Sequence, residues 1–272
     1  MAGSVEHMAV TAELLRIDRK RTGCFLNVSD PVHFLLGNLA PDGIMSRKGY
    51  VRPMKMHTHF RDGIPDWRFT EPQNLTLFHD RLQQFCIQML SDQTLDRDLY
   101  LGYVTHILTD EIFMKTIRPE FMDKISVLGL TDRDMETFEH FTYDVNQIDF
   151  RLGREYPGMN EMQRALSCED ICSIEEMQEI DRGEKNSGEC FGRTGHKQDM
   201  ITAQEMADSR KWVREFFFDH APEPERPVYY TYERALRFIE EAVLFIRENI
   251  YTYIGEGVRQ LRFPTPKTDI YP

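Results

Sequence analysis

An all-α chain is what this sequence predicts, and three observations predict it. Apolar residues recur at three- and four-residue intervals in nearly every periodic segment, strand-like alternation is almost absent, and the segment ends carry helix caps and breakers. The first stripe, Val5, Met8, Ala9, Ala12 and Leu15, makes residues 5–17 an amphipathic helix. Ser29 or Asp30 caps a second, short helix with Pro31 in its first turn. Gly37-Asn38 is expected to end it, leaving LAPDG at 39–43 as a tight turn.

Residues 74–90 place Leu75, Phe78, Leu82, Phe85 and Met89 on one face, and a further helix is expected over about 98–116, stopped before Pro119. Thr131-Asp132 opens a long periodic run that reaches the mid-150s. Thr202 with Glu205 three residues on has the form of a capping box. The last helix is expected over 230–254, behind a stiff connector, APEPERPVY, at 221–229. The polar stretch 183–199 carries four glycines and no periodicity, and reads as a lid or a plain loop. With no internal repeat, one helical domain over 1–272 is the expectation.

The 272 residues suffice for a sizeable core, and 41% hydrophobic with 29% charged residues is a globular composition. The net charge of −12 argues against an extended nucleic-acid-binding face or a polybasic membrane anchor. Five cysteines, Cys24, Cys86, Cys168, Cys172 and Cys190, are few and scattered, which fits free thiols in a reducing compartment. The N-terminus lacks the pattern of a secretion signal, and no run approaches the roughly 20 apolar residues of a membrane span. A soluble cytoplasmic protein is expected, its oligomeric state open.

Within YLGYVTHILTD, His106 and Asp110 interrupt an apolar run four residues apart, so both emerge from one helix face. Such a pair can bond to itself, line a polar pocket or hold a metal. His7 lies near the first stripe, Asp42 in GNLAPDG and His59 in KMHTHF. Three histidines and two carboxylates from four segments form a donor set suited to zinc or another first-row divalent ion. Singly, each has a plainer reading: a satisfied core histidine, a turn aspartate, a solvated pair.

Their order along the chain carries a resemblance. An early His, then FLLGNLAPD, THF and YLGYVTHILTD over residues 7–113 is similar to the zinc-dependent phospholipase C family, in particular its short cytoplasmic members. The resemblance implies an all-α fold with a cluster of two or three zinc ions that activates water against a phosphodiester. Carried over by motif, Asp42, His59, His106 and Asp110 would hold one zinc. Asp110 would bridge to a second ion bound by His7, and Asp42 would also serve as the catalytic base. His140 and Asp144, four apart in EHFTYD, are candidate further ligands, with His33, His57 and His79 behind them.

The chain departs from the secreted members in two ways. Six residues precede His7 where those enzymes use the amino group exposed by signal cleavage, and no histidine lies between His106 and His140.

The expectation is therefore a metal-dependent phosphoester hydrolase, with the metal site in about 1–155 and a second helical half over 156–272. Its substrate would be a small or lipid phosphoester, for which Trp67 and Phe69 would supply an apolar landing surface. Two readings compete: a non-catalytic helical binding or regulatory protein with a vestigial or structural metal, and an HD-type phosphohydrolase. The second needs an adjacent His-Asp pair with partners, and His79-Asp80 has no earlier partner set.

Overall fold

The computed structural model describes residues 1–20, 25–167 and 200–255. Among them the helices run α1 Ser4–Lys20, α2 Pro31–Gly43, α3 Arg52–Thr58, α4 Pro72–Ser91, α5 Arg97–Lys115, α6 Ile117–Ser126, α7 Met135–Glu155, α8 Met159–Ser167, α9 Ala203–Arg214 and α10 Tyr232–Ile254. No strand occurs among the described residues.

Caps set several of the starts. Asp30 accepts hydrogen bonds from the N–H groups of Val32 and His33, Asp96 from that of Leu99, and Thr231 from that of Arg234. Thr202 and Glu205 form the reciprocal capping box that their spacing predicts.

Two boundaries differ from expectation. Helix α2 continues past Gly37 and through Pro41 to Gly43, so Asp42 sits on a last helical turn. Gly37 serves close packing instead: a Cβ there would lie 1.8 Å from the carbonyl oxygen of Leu99. Pro119, expected only as a stop, lies in the first turn of α6, where its missing N–H costs nothing.

Helix α5 is the axis of the fold. Every residue from Asp98 to Glu111 is buried, because α2 packs on one side of it and α10 on another, with α1, α4 and α6 also in contact. A helix enclosed all round has no solvated face to spare. Its polar residues must therefore find partners inside the protein, and His106 and Asp110 do so at the α1–α2 side.

Helix α9 packs on α2, and α10 on α1, α4, α5 and α7, so residues 200–255 share one core with the first 155. Cys86 is buried and free, its thiol pushed up by burial. The other four cysteines and the 183–199 stretch lie outside the described residues.

Helix α1 is anchored by two buried carboxyls. Asp149 of α7 accepts the N–H of Val5 at 3.1 Å and of Glu6 at 3.0 Å, in effect capping α1 from another helix. Glu6 accepts the N–H of Gly3 at 2.8 Å and the hydroxyl of Tyr230. Burial, and then the charge of Glu6, push the Asp149 carboxyl well above its usual range, and burial raises Glu6 as well.

Both groups hold protons more tightly in the folded state than in the unfolded one. Their contribution is full below the unfolded values of about 4 and is lost as pH rises through the raised folded values. Glu6→Gln keeps both contacts, since the amide oxygen can accept from Gly3 and the amide N–H can donate to the Tyr230 hydroxyl oxygen.

The variant is therefore expected to gain stability over wild type, by an amount that grows from pH 5 to pH 8. Urea unfolding of metal-free protein at the two pH values measures this. A pH-independent difference would refute the shared-charge account.

Candidate metal centre

Five side chains from four segments meet at one end of the α2–α5 contact. Helix α5 supplies His106 and Asp110, one turn apart; α1 supplies His7, the last turn of α2 supplies Asp42, and the residue after α3 supplies His59. The rings of His7 and His106 stack with centroids 3.7 Å apart and planes 4° from parallel. His59 meets His106 edge-on.

The backbone behind His59 is built to hold it. Thr58 donates its hydroxyl to the carbonyl of Pro41 at 2.8 Å and receives the Tyr103 hydroxyl on its own carbonyl. Phe60 then adopts φ 57°, a left-handed conformation unusual outside glycine. It is kept there by its buried ring on Phe85 and Tyr103, and by Arg81, which donates to the carbonyls of Phe60 and Asp62. The turn lets His59 and Arg61 both point inward.

Tautomers follow from the partners. His106 Nδ1 lies 2.7 Å from the carbonyl oxygen of Asn38, and His59 Nδ1 lies 2.8 Å from that of Lys55. A carbonyl only accepts, so each Nδ1 carries the hydrogen. Burial holds His59 below its ordinary pKa and, with the charge of His7, holds His106 well below it, so both rings are neutral. Each Nε2 therefore presents a bare lone pair, and these two atoms face each other at 3.1 Å.

Two lone pairs at that distance repel unless a cation lies between them. A carbonyl fixing one imidazole nitrogen so that the other is free to ligate is the usual arrangement behind a metal-bound histidine.

The carboxylates complete the set. Asp42 Oδ1 lies 3.2 Å from His59 Nε2, while Asp110 Oδ2 lies 3.5 Å from His59 Nε2 and 3.8 Å from His106 Nε2. Donor atoms about 3.3 Å apart are what tetrahedral zinc with bonds near 2.0–2.1 Å requires. His7 Nε2 lies 3.4 Å from the other oxygen, Asp110 Oδ1, which also accepts the N–H of Ala2 at 3.0 Å.

Two groups of three could each hold an ion: Asp42, His59 and His106; and His7, His106 and Asp110. Both nitrogens of His7 and Asp110 Oδ2 are buried with no hydrogen bond, which suits ligand atoms.

Burial alone would raise both aspartates. Against it, the charge of Lys55 holds Asp42 well below the carboxylate range, and His7 and the chain's amino group do the same for Asp110. His59, His106, Asp42 and Asp110 therefore stand in the protonation state that a metal needs.

The secondary candidates are placed otherwise. Asp144 spends both oxygens on the N–H groups of Val228, Tyr229 and Tyr230, pinning the connector before α10. His140 pairs with Glu136 and packs on Tyr229. His33 pairs with Asp96, His57 with Asp62 and His79 with Glu111. None belongs to either group of three.

Phe69, expected at a landing surface, is instead buried beneath the Arg61 guanidinium. Trp67 is exposed, with Arg133 over its ring. It lines a groove of about 390 Å³ with Arg52, Met56, Asp66 and Asp132.

Three contributors escape sequence reasoning. Lys55 places its ammonium 2.6 Å from Asp42 Oδ1. Asn38 contributes a backbone carbonyl, which carries no residue-type signal. Arg61, fully enclosed and ion-paired with Asp66, lines a water-sized cavity together with His59, Asp110 and Glu111. Its signal would have been the charge two residues after His59, in a stretch otherwise turned inward. Comparison with protein-family models, with characterised proteins and with solved structures finds no match for this chain.

Proposed function

We propose that this chain is a metal-dependent phosphoester hydrolase with zinc as its metal and a chemistry like that of the phospholipase C family it resembles in sequence. The observation that carries this reading is the pair of carbonyl-fixed, neutral imidazoles whose Nε2 atoms face each other at 3.1 Å beside two ionised carboxylates. A divalent ion bound there would polarise a phosphoryl oxygen and lower the pKa of water toward neutrality.

The chain's own groups have separate roles in this scheme. His59, His106 and Asp110, with side chains 1–6% exposed, would hold one ion together with Asp42 Oδ1. His7 and the second oxygen of Asp110 would hold another. The other oxygen of Asp42, whose side chain is 13% exposed, is placed to take a proton from an incoming water. Because the ions would neutralise the phosphate, the reaction needs no basic surface, in keeping with a net charge of −12.

No helix among the described residues is long and apolar enough to cross a membrane. Protein purified without chelator is expected to carry zinc. It is also expected to hydrolyse at least one member of a panel of aryl, nucleotide and phosphatidylcholine phosphoesters, with activity lost to a chelator and restored by zinc. A zinc-loaded protein inert across the whole panel would favour the non-catalytic alternative.

A further inference from the structure

Lys55 has two contacts with the candidate ligands, one through each part of the residue. Its carbonyl accepts the Nδ1 hydrogen of His59 at 2.8 Å. Its ammonium lies 2.6 Å from Asp42 Oδ1, the same oxygen that stands 3.2 Å from His59 Nε2. Lys55 and Asp42 are also the exposed edge of the cluster: their side chains are 14% and 13% exposed, against 1% for His106, 2% for His59 and 6% for Asp110. Of the residues named in the cluster, these two have the most contact with solvent. The ammonium is otherwise only loosely held, its other contact being the Met45 sulfur at 3.8 Å.

We propose that Lys55 is the resident cation of the site: its ammonium balances Asp42 until a divalent metal takes that oxygen, and then turns outward to bind the phosphoryl group of the substrate. The inference rests on the metal-dependent phosphoester reading above and assigns a residue that reading does not use.

The electrostatics require an exchange. A divalent ion held by Asp42 Oδ1 and His59 Nε2 would lie next to a cation now 2.6 Å from that same oxygen, and like charges so close in a partly buried site repel strongly. Lysine suits the move, being a compact charge on a four-carbon stem with several rotatable bonds. Its side chain is 14% exposed, so the ammonium can turn toward solvent, from which the incoming group is an anion. There an ammonium binds phosphate as a point charge, without the fixed fork of arginine. The backbone bond to His59 is untouched by the swing, so the imidazole keeps its tautomer whichever way the side chain points.

The two roles predict effects of opposite sign from one substitution. Lys55→Met keeps the apolar stem and removes the charge; Lys55→Gln is a second neutral variant should the first fold poorly, and Lys55→Arg keeps the charge. Zinc affinity is measured on metal-free full-length protein by competition with a chromogenic chelator. Inorganic phosphate affinity is then measured on the zinc-loaded protein by calorimetry.

The neutral variants are expected to bind zinc at least tenfold more tightly than wild type and phosphate at least tenfold more weakly, with Lys55→Arg near wild type in both. Zinc affinity equal to or below wild type would overturn the exchange, leaving Lys55 as a structural partner of Asp42. Tighter zinc with unchanged phosphate would overturn the substrate role. Wild-type protein that takes up no zinc at all would instead overturn the metal reading, and this inference with it.

Discussion

His106→Ala is expected to cut zinc affinity by more than about 100-fold, the upper end of what losing a mere supporting partner of a ligand costs. The reason is that His106 is a donor in either of the two groups of three, so the truncation removes a ligand whichever of them holds the ion. The loss is not confined to the metal. Alanine removes a hydrogen bond from the Asn38 carbonyl and the ring on which His7 stacks, and leaves a void in a fully packed helix interface.

A lost buried hydrogen bond and a cavity of ring size together are expected to lower stability by about 2–4 kcal/mol in metal-free protein. The two effects separate in measurement. Urea unfolding without metal reports the packing loss, and zinc per folded chain by mass spectrometry, after dialysis against a weak chelator, reports the ligand. His57→Ala, which removes a neighbouring histidine paired with Asp62 rather than turned to the cluster, is the matched control and should keep its zinc. Full zinc retention in His106→Ala would remove the central ligand from the proposal.

What the sequence discloses about this site depends on how local the cause is. His106 and Asp110 stand out because two polar residues break an apolar run, and burial of α5 on all sides is why they break it. The Thr202–Glu205 box is legible because both partners lie within one turn. Gly37 misleads for the opposite reason. It reads as a terminator, yet its role is set by the Leu99 carbonyl 62 positions away in the chain, a contact no window along the sequence contains.

Asp144 is similar: as half of an HxxxD pair it imitates a ligand, while its real partners are three N–H groups from residues 228–230. Lys55 looks like an ordinary surface charge. Only the fold brings its ammonium to Asp42, and only the backbone turn at Phe60 explains why His59 rather than His57 faces inward.

The same α2–α5 crossing that hides from sequence reasoning makes the sharpest test of the frame. Gly102→Ala adds one methyl group to a helix, and helix propensity alone predicts a gain of up to about 1 kcal/mol. The structure predicts the reverse sign. A Cβ at Gly102 would lie 2.0 Å from the carbonyl oxygen of Phe34 and 2.7 Å from the backbone nitrogen of Asn38. Neither is the free end of a side chain that could turn away.

To relieve the clash the two helices must separate by more than 1 Å, and overpacking of this kind costs about 3 kcal/mol. The displacement also reaches the metal donors. His106 is four residues along the same face of α5, and its Nδ1 is tied to the carbonyl of Asn38 itself, so forcing Asn38 away loosens the bond that aims Nε2. The expected result is a lower urea midpoint together with weaker zinc binding, from a substitution that touches no donor atom. A Gly102→Ala protein as stable as wild type would mean that α2 and α5 do not cross this closely, and the donor distances built on that crossing would fall with it.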